Sequence, residues 1–350
     1  MTVRIEKPTF NLRDKLSELD KPTGIHGTQL MRSRDIAESF DLVGAGRKNF
    51  LINGSTIVWQ RGTSNPNVSN YGCDRFWRAN GATQVDRSTT TPVGFSYSIK
   101  VTSNGSTTSI GQPIELTGTG RSQFEPYASY TLSFYARVDS GTDDISATVY
   151  YRNAKFSNTN QTNWGPTVTQ NMGTLTTSFQ RFSKTFTAPA APNANNQILA
   201  IELNNNATYY ITGVQFEKGK AATPFEHRSY VEELALCQRY YHLYLDSDTN
   251  ASNQAPTTPA IVYNNTSLIW CPIQHPLPMR TAPALDAVEG TNYYTVFYNN
   301  TNANVSGIVL SRNSPYVTEI YFTGASVTQG TACWLRGNNA AAKIAFSAEL

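Results

Sequence analysis

Thr131, Ser133, Tyr135 and Arg137 alternate with Leu132, Phe134, Ala136 and Val138. A period of two puts one side of a stretch in a core and the other in water, so this run is predicted as a half-buried strand. Comparable runs recur through residues 49–222: GFSYSIKV, TSIGQPIEL, ISATVYY, SFQRFSKTF, NQILAIEL and TYYITGVQF. FLING and STIVW predict an opening hairpin that turns at Asn53-Gly54. Many short runs with polar turns predict a β-sandwich, most simply a jelly roll. The polar stretch DSDTNASNQAPTT (246–258) follows, and short runs then resume: PAIVY, SLIWC, NYYTVFY, SGIVLS, VTEIYFT, TACWLRG and KIAFSAEL. They predict a second, smaller β-sandwich within 246–350. Pro272, Pro276, Pro278 and Pro283 suit an edge or crossover loop there.

Between the two β regions the period changes. In 223–245, Val231, Leu234, Cys237 and Tyr241 fall at steps of three, three and four, which shares one helical face. Leu236, Tyr240 and Leu243 form a second stripe, leaving Glu232, Glu233, Gln238 and Arg239 for water. Ser229 can cap the start, with Glu232 at the capping-box position. A helix apolar over so much of its girth needs cover on several sides. It reads as a connecting helix that docks the last domain onto its neighbours or onto copies of itself; an ordinary amphipathic helix within one domain is the plainer alternative.

Residues 1–48 are of another texture. A third of them are Lys, Arg, Asp or Glu, against about an eighth of the remainder. Leu12, Leu16 and Leu19 lie at helical steps after Asn11, and Pro22 stops that helix. A second helix, with Ile36 and Phe40, is expected from Asp35 to Leu42, ended by Gly44 and Gly46. Neither is long enough to stand alone in water. The segment is expected to be an anchor into a larger particle or between copies, the alternative being that it folds back on the first β domain. The expected architecture is thus mainly β: two jelly-roll-like sandwiches, a short helical N-terminal anchor and a connecting helix.

A net charge of +3 over 350 residues leaves no nucleic-acid footprint. No apolar run is long enough to insert in a membrane, and the N-terminus has no signal-peptide core. Cys73, Cys237, Cys271 and Cys333 lack metal-ligand spacing and are expected to be buried free thiols. No cofactor and no metal site is expected.

Nor does any catalytic motif emerge. His26, His227, His242 and His275 stand scattered and unaccompanied, and Asp143-Asp144 would point to opposite faces of a strand, so they read as a solvated turn. A binding rather than enzymatic role is expected, and aromatic side chains are the better candidates. A sugar's apolar face stacks on an aromatic ring while amides bind its rim. Trp164, in the polar loop NTNQTNWGPT, and Tyr151, Arg152 and Asn153 nearby are the candidate glycan contacts. Trp59, Trp77, Trp270 and Trp334 sit in strand-like runs and are expected in the core. Tyr293, Tyr294 and Tyr298 alternate across both faces.

Three long strings carry a family resemblance: PFEHRSYVEELALCQRYYHLY, YYITGVQFEKGKAATPFEHRSY, and FDLVGAGRKNFLINGSTIVWQRGTS with GCDRFW after it. They resemble tail-fibre-like virion proteins of marine bacteriophages, cyanophages above all, over roughly residues 40–241. The resemblance implies a phage structural protein on the virion surface, made in the host cytoplasm. Its role would be that of a tail fibre or tail-associated receptor-binding protein, homotrimeric, joined to tail or capsid proteins through residues 1–48 and binding host surface glycans. The alternatives are a capsid-decorating or head-fibre protein without a ligand, and a polysaccharide-cleaving spike. The first β region also resembles glycan-binding jelly-roll modules, whose opening strand carries Asn-Gly and Trp as Asn53, Gly54 and Trp59 do here. Their closing strand carries calcium-binding aspartates that YYITGVQFEKG lacks.

Overall fold

Alternating runs rich in aromatic and β-branched residues build four sheets in this computed structural model. It describes residues 48–349 apart from 67–69, 80–81, 104–107, 116–124, 126, 153–167, 189–195, 204–206, 248–254 and 264–267. The anchor residues Leu12, Leu16, Leu19, Ile36 and Phe40 therefore lie outside the described residues.

The first sheet holds, in spatial order, β1 (Ser64–Pro66), β4 (Ala82–Ser88), β5 (Ser98–Ser103), β12 (Thr208–Lys218), β7 (Ser129–Val138) and β10 (Gln180–Thr187). The second holds β2 (Asn70–Tyr71), β3 (Trp77–Ala79), β6 (Thr108–Glu115), β11 (Asn196–Leu203), β8 (Asp143–Arg152) and β9 (Val168–Leu175). All pairings are antiparallel, and from β5 onward consecutive strands alternate between the sheets except for the β8–β9 pair, as in a jelly roll. Leu132, Phe134 and Ala136 of β7 and Ile145, Ala147 and Val149 of β8 bury their side chains in the layer between.

A second pair of sheets uses the rest of the chain. Seven strands lie in the order β18 (Thr301–Asn304), β17 (Tyr294–Tyr298), β21 (Ala332–Gly337), β14 (Ala255–Val262), β15 (Ile269–Gln274), β20 (Val317–Thr323) and β19 (Gly307–Asn313). Three more lie in the order β13 (Tyr241–Asp246), β22 (Lys343–Ser347) and β16 (Ala284–Ala287). Val262, Cys271, Val296, Phe322, Leu335, Ile344 and Phe346 share one core cluster.

Several expectations need correction. Leu51–Gln60 is not a hairpin but an irregular, largely buried segment. Asn53 takes a left-handed backbone (φ 59°), and its side chain holds the loop from inside: Nδ2 donates to the Val58 and Asp74 carbonyls at 2.9 and 3.0 Å, and Oδ1 accepts from the Val58 N–H. A signal for a two-residue turn is thus used as a buried plug.

The connecting helix is short. It is α1, Tyr230–Gln238, and Ser229 caps it by accepting from the Glu232 N–H. Its predicted stripe is broken. Val231 is 74% exposed, Leu234 is half-buried, only Cys237 is buried, and Tyr241 belongs to β13. The strand YHLYLD pairs with β22, with a bulge between Leu243 and Leu245, instead of continuing the helix; aromatic residues favour that pleated, half-buried setting. Glu233, expected in water, is 2% exposed. Asp143 opens β8 rather than lying in a solvated turn, and accepts a hydrogen bond from the buried Tyr209 hydroxyl.

Candidate carbohydrate-binding face

A jelly roll offers two outer sheet faces to a ligand, and in this chain one of them is occupied. Thr131 and Ser133 of β7, expected in water, are buried. Residues 219–228, which follow β12, lie over them as a strap. The Thr131 hydroxyl donates to the Gly219 carbonyl at 2.9 Å. Glu217, 1% exposed, accepts from both the N–H and the hydroxyl of Thr223 at 2.8 and 2.6 Å. Gln215 donates to the Thr223 hydroxyl and accepts from the Glu226 N–H. Arg181 ties the Ser133 hydroxyl to the Thr223 carbonyl. Phe225 and His227 then pack on Phe95, which lies against Tyr135. A bulge at Gly213 (φ +62°) makes room, since a Cβ there would sit 2.7 Å from Phe95 and 2.9 Å from Tyr135.

The second sheet carries a polar row instead. Asp144, Ser146 and Thr148 of β8 stand across from Thr174, Asn171 and Thr169 of β9. The Thr148 and Thr169 hydroxyls are 3.0 Å apart, and the Thr174 hydroxyl donates to Asp144 at 2.6 Å. Thr169, Asn171 and Thr174 are exposed. From Thr148 the cross-strand register passes through Ala200 and Gly111 to Trp77. Thr148, Gly111 and Trp77 along this row are buried, so the exposed part of the face is its β8–β9 end, with Asp144, Thr169, Asn171 and Thr174. Exposed hydroxyls, an amide and a carboxylate together suit a polyhydroxylated ligand.

Of the sequence-selected contacts, Trp164 and Asn153 lie outside the described residues. Tyr151 and Arg152 close β8, opposite Gln197 and Asn196 of β11. Tyr151 has the parity of the core positions Ala147 and Val149, whereas Arg152 has that of Ser146 and Thr148. The missed candidates are Asp144, Ser146, Thr169, Asn171 and Thr174. The alternation in DDISATVY is the signal that could have found those on β8.

The aromatics also sort differently from expectation. Trp59 and Trp77 are buried as expected, with the Trp59 N–H donating to the Thr56 carbonyl at 2.7 Å. Trp334 is 50% exposed and Trp270 only half-buried under Tyr263, so both lie outside the core.

The electrostatics concentrate away from this face, where α1, β13 and the end of the chain meet Leu51–Arg78. Arg61 contacts Asp74 and Glu349 at 3.0 Å each, and Arg75 also pairs with Glu349. Arg61 and Arg75 lie 3.6 Å from the ring centroids of Tyr241 and Tyr240. The Asn53 N–H donates to Glu233 at 2.7 Å, and Gln60 bonds both the carbonyl of Tyr241 and the N–H of Leu243. Burial pushes Asp74 up to about 6 against the pull of Arg61. It also pushes the Cys73 and Cys237 thiols well above their usual range. All four cysteines are free and buried. His242 and His275 are not isolated: their Nδ1 atoms are 3.0 Å apart, and His275 Nε2 meets the Thr318 hydroxyl at 2.8 Å. Burial and then His275 lower His242 to about 4. Among the described residues no three His, Cys, Asp or Glu side chains are grouped to hold a metal, and no helix is long and apolar enough to cross a membrane.

With this geometry in view, residues 63–208 match the family described as Carbohydrate binding domain, and the strands within them have the jelly-roll arrangement of such modules. No curated protein matches the chain. Among solved structures, a xylan-binding domain from Paenibacillus barcinonensis is 13% identical with TM-score 0.34, covering 51% of this chain and 99% of that one. A tandem of such domains from the same organism is 11% identical with TM-score 0.32, covering 82% and 95%. The enzymatically active domain of a bacteriophage CBA120 tailspike protein is 13% identical with TM-score 0.31, covering 49% of this chain; the chain spans only 21% of that one.

Proposed function

We propose that this chain is a non-enzymatic carbohydrate-binding protein whose ligand lies on the outer face of the second sheet, over β8 and β9. The observation that carries the reading is the strap. Residues 219–228 lie over β7 and β12 at the centre of the first sheet's outer face, whereas Asp144, Thr169, Asn171 and Thr174 at the β8–β9 end of the second sheet are exposed. Its exposed hydroxyls, amide and carboxylate can exchange hydrogen bonds with sugar hydroxyls.

The resemblance of residues 40–241 to tail-fibre-like proteins of marine phages extends the proposal. The chain would sit on a virion as a tail fibre or tail-associated receptor-binding protein, homotrimeric, mounted through residues 1–48 and gripping host surface glycans. Several weak sites acting together give such a fibre its hold.

The test is a glycan array probed with the full chain and with Thr169→Arg and Asn171→Arg variants. Both positions are exposed, so the variants keep the fold while placing bulk on the face. The expected result is binding to at least one glycan class by the wild type and its loss in both variants. Equal binding by all three would remove this face from the account.

A further inference from the structure

The outer face of the seven-stranded sheet carries a row of aromatic side chains that lies outside the region matching a carbohydrate-binding family. The register fixes it. Phe297 of β17 stands opposite Trp334 of β21, Trp334 opposite Pro259 of β14, Ile261 of β14 opposite Trp270 of β15, and Trp270 opposite Tyr321 of β20. The alternate positions, among them Ala260, Cys271, Ile320, Cys333 and Leu335, are buried in the core. These aromatics are therefore on the outside. Trp334 is 50% exposed and Tyr263 57%. Tyr263 stacks on Trp270 with centroids 4.7 Å apart and planes 20° from parallel. Arg336 lies 3.8 Å over Phe297.

Such a surface wastes apolar contact with water unless something covers it. Its size limits what that is. From β17 to β20, and from Pro259 to Tyr263, it spans about 19 Å by about 13 Å, roughly 250 Å². A stable interface between two protein copies needs about 800 Å² on each side. The patch is also edged by polar groups: Asn302 stands opposite Phe297, and Glu319, on the same face as Tyr321, has a buried carboxylate oxygen with no hydrogen-bond partner among the described residues. Flat rings of low charge with amide, guanidinium and carboxylate groups at the border match the two-sided chemistry of a sugar, whose C–H face stacks and whose hydroxyls bond outward.

We infer that Trp334, Phe297 and the Tyr263–Trp270 stack form a second carbohydrate platform, taking a neutral oligosaccharide of a few pyranose rings. The inference shares only its ligand class with the function proposed above; the two surfaces are on different sheets, so each can fail alone. Two platforms on one chain raise its hold on a polymeric glycan beyond that of either.

The full-length wild type, Trp334→Ala, Tyr263→Ala and Asn171→Arg are compared on a glycan array and then by calorimetry with the best neutral oligosaccharide. Near-ultraviolet circular dichroism and the melting temperature verify the fold of each. The platform predicts at least about a tenfold loss of affinity for one ligand in each of the two aromatic variants, as for a central aromatic anchor. Loss in these variants with no effect of Asn171→Arg sustains the platform and removes the face on β8 and β9. Loss in Asn171→Arg alone overturns the platform and leaves that face standing. Binding of no glycan by the wild type overturns both. A drop from oligomer to monomer in Trp334→Ala, with glycan affinity unchanged, assigns the patch to a second copy of the chain and also overturns the platform.

Discussion

Arg61 lies over the ring of Tyr241, its guanidinium carbon 3.6 Å from the ring centroid, with one nitrogen on Asp74 and another on Glu349. Three stretches distant in sequence thus share one cation. The guanidinium is suited to this because it stacks and donates in its own plane at the same time. Asp74 is 1% exposed and Glu349 8%, so both carboxylates depend on their arginines.

Arg61→Ala is expected to destabilise the protein by about 3–5 kcal/mol, the usual cost of leaving a buried charge without its partner. Replacement by Lys recovers little, since an ammonium cannot stack and fork at once. Chemical denaturation of the three proteins measures both.

Acid acts on buried groups in opposite directions: burial lowers His275 as it does His242, and raises Glu233 as it does Asp74. His242 is lowered to about 4, so between pH 6.5 and 4 the unfolded chain takes a proton that the folded one refuses, and stability falls with pH. Asp74 is raised to about 6, so as pH falls below 6 the folded state takes the proton first and stability rises. The wild type is therefore expected to show a shallow pH dependence over this range. His242→Asn removes the first effect alone. Relative to wild type it should gain about 3 kcal/mol between pH 6.5 and 4, from the shift of His242 at about 1.4 kcal/mol per pH unit. Urea unfolding at stepped pH checks it; parallel curves for the two proteins would exclude the histidine pair as the acid-sensitive element.

Gly213→Ala is expected to loosen the strap. A Cβ would intrude on Phe95 and Tyr135 at a backbone angle that L-residues disfavour. The cost is about 1–3 kcal/mol. Hydrogen exchange should rise in 219–228 while β8 and β11, on the other sheet, keep their protection.

The strands of both β regions were legible because alternation survives in them: β7, β11, β20 and β21 fall within the predicted runs, and β8, β12 and β15 overlap theirs. The errors arise where one pattern serves two geometries. Residues 231–245 satisfy a helical stripe, yet the helix stops at Gln238 and Tyr241 begins a strand, because pairing with β22 satisfies that backbone and buries Tyr241. Glu233 looked solvated because nothing local shows that Asn53, 180 residues away, would donate to it. Trp334 looked buried because alternation tells that a strand has two faces without telling which face is inside; Cys333 and Leu335 took the core. The polar face of β7 looked open because the strap over it comes from far along the chain. The binding-face candidates on β8 were visible in principle, as parity within one strand, but their partners on β9 depend on a pairing that composition does not reveal.

The central claim is that the second sheet, and not the first, receives a glycan. Hydrogen exchange of the full chain, with and without the best ligand from the array, tests it most directly. The account predicts added protection in residues 143–152 and 168–175, with none in 129–138, 180–187 or 219–228. Protection confined to those last three segments would contradict it.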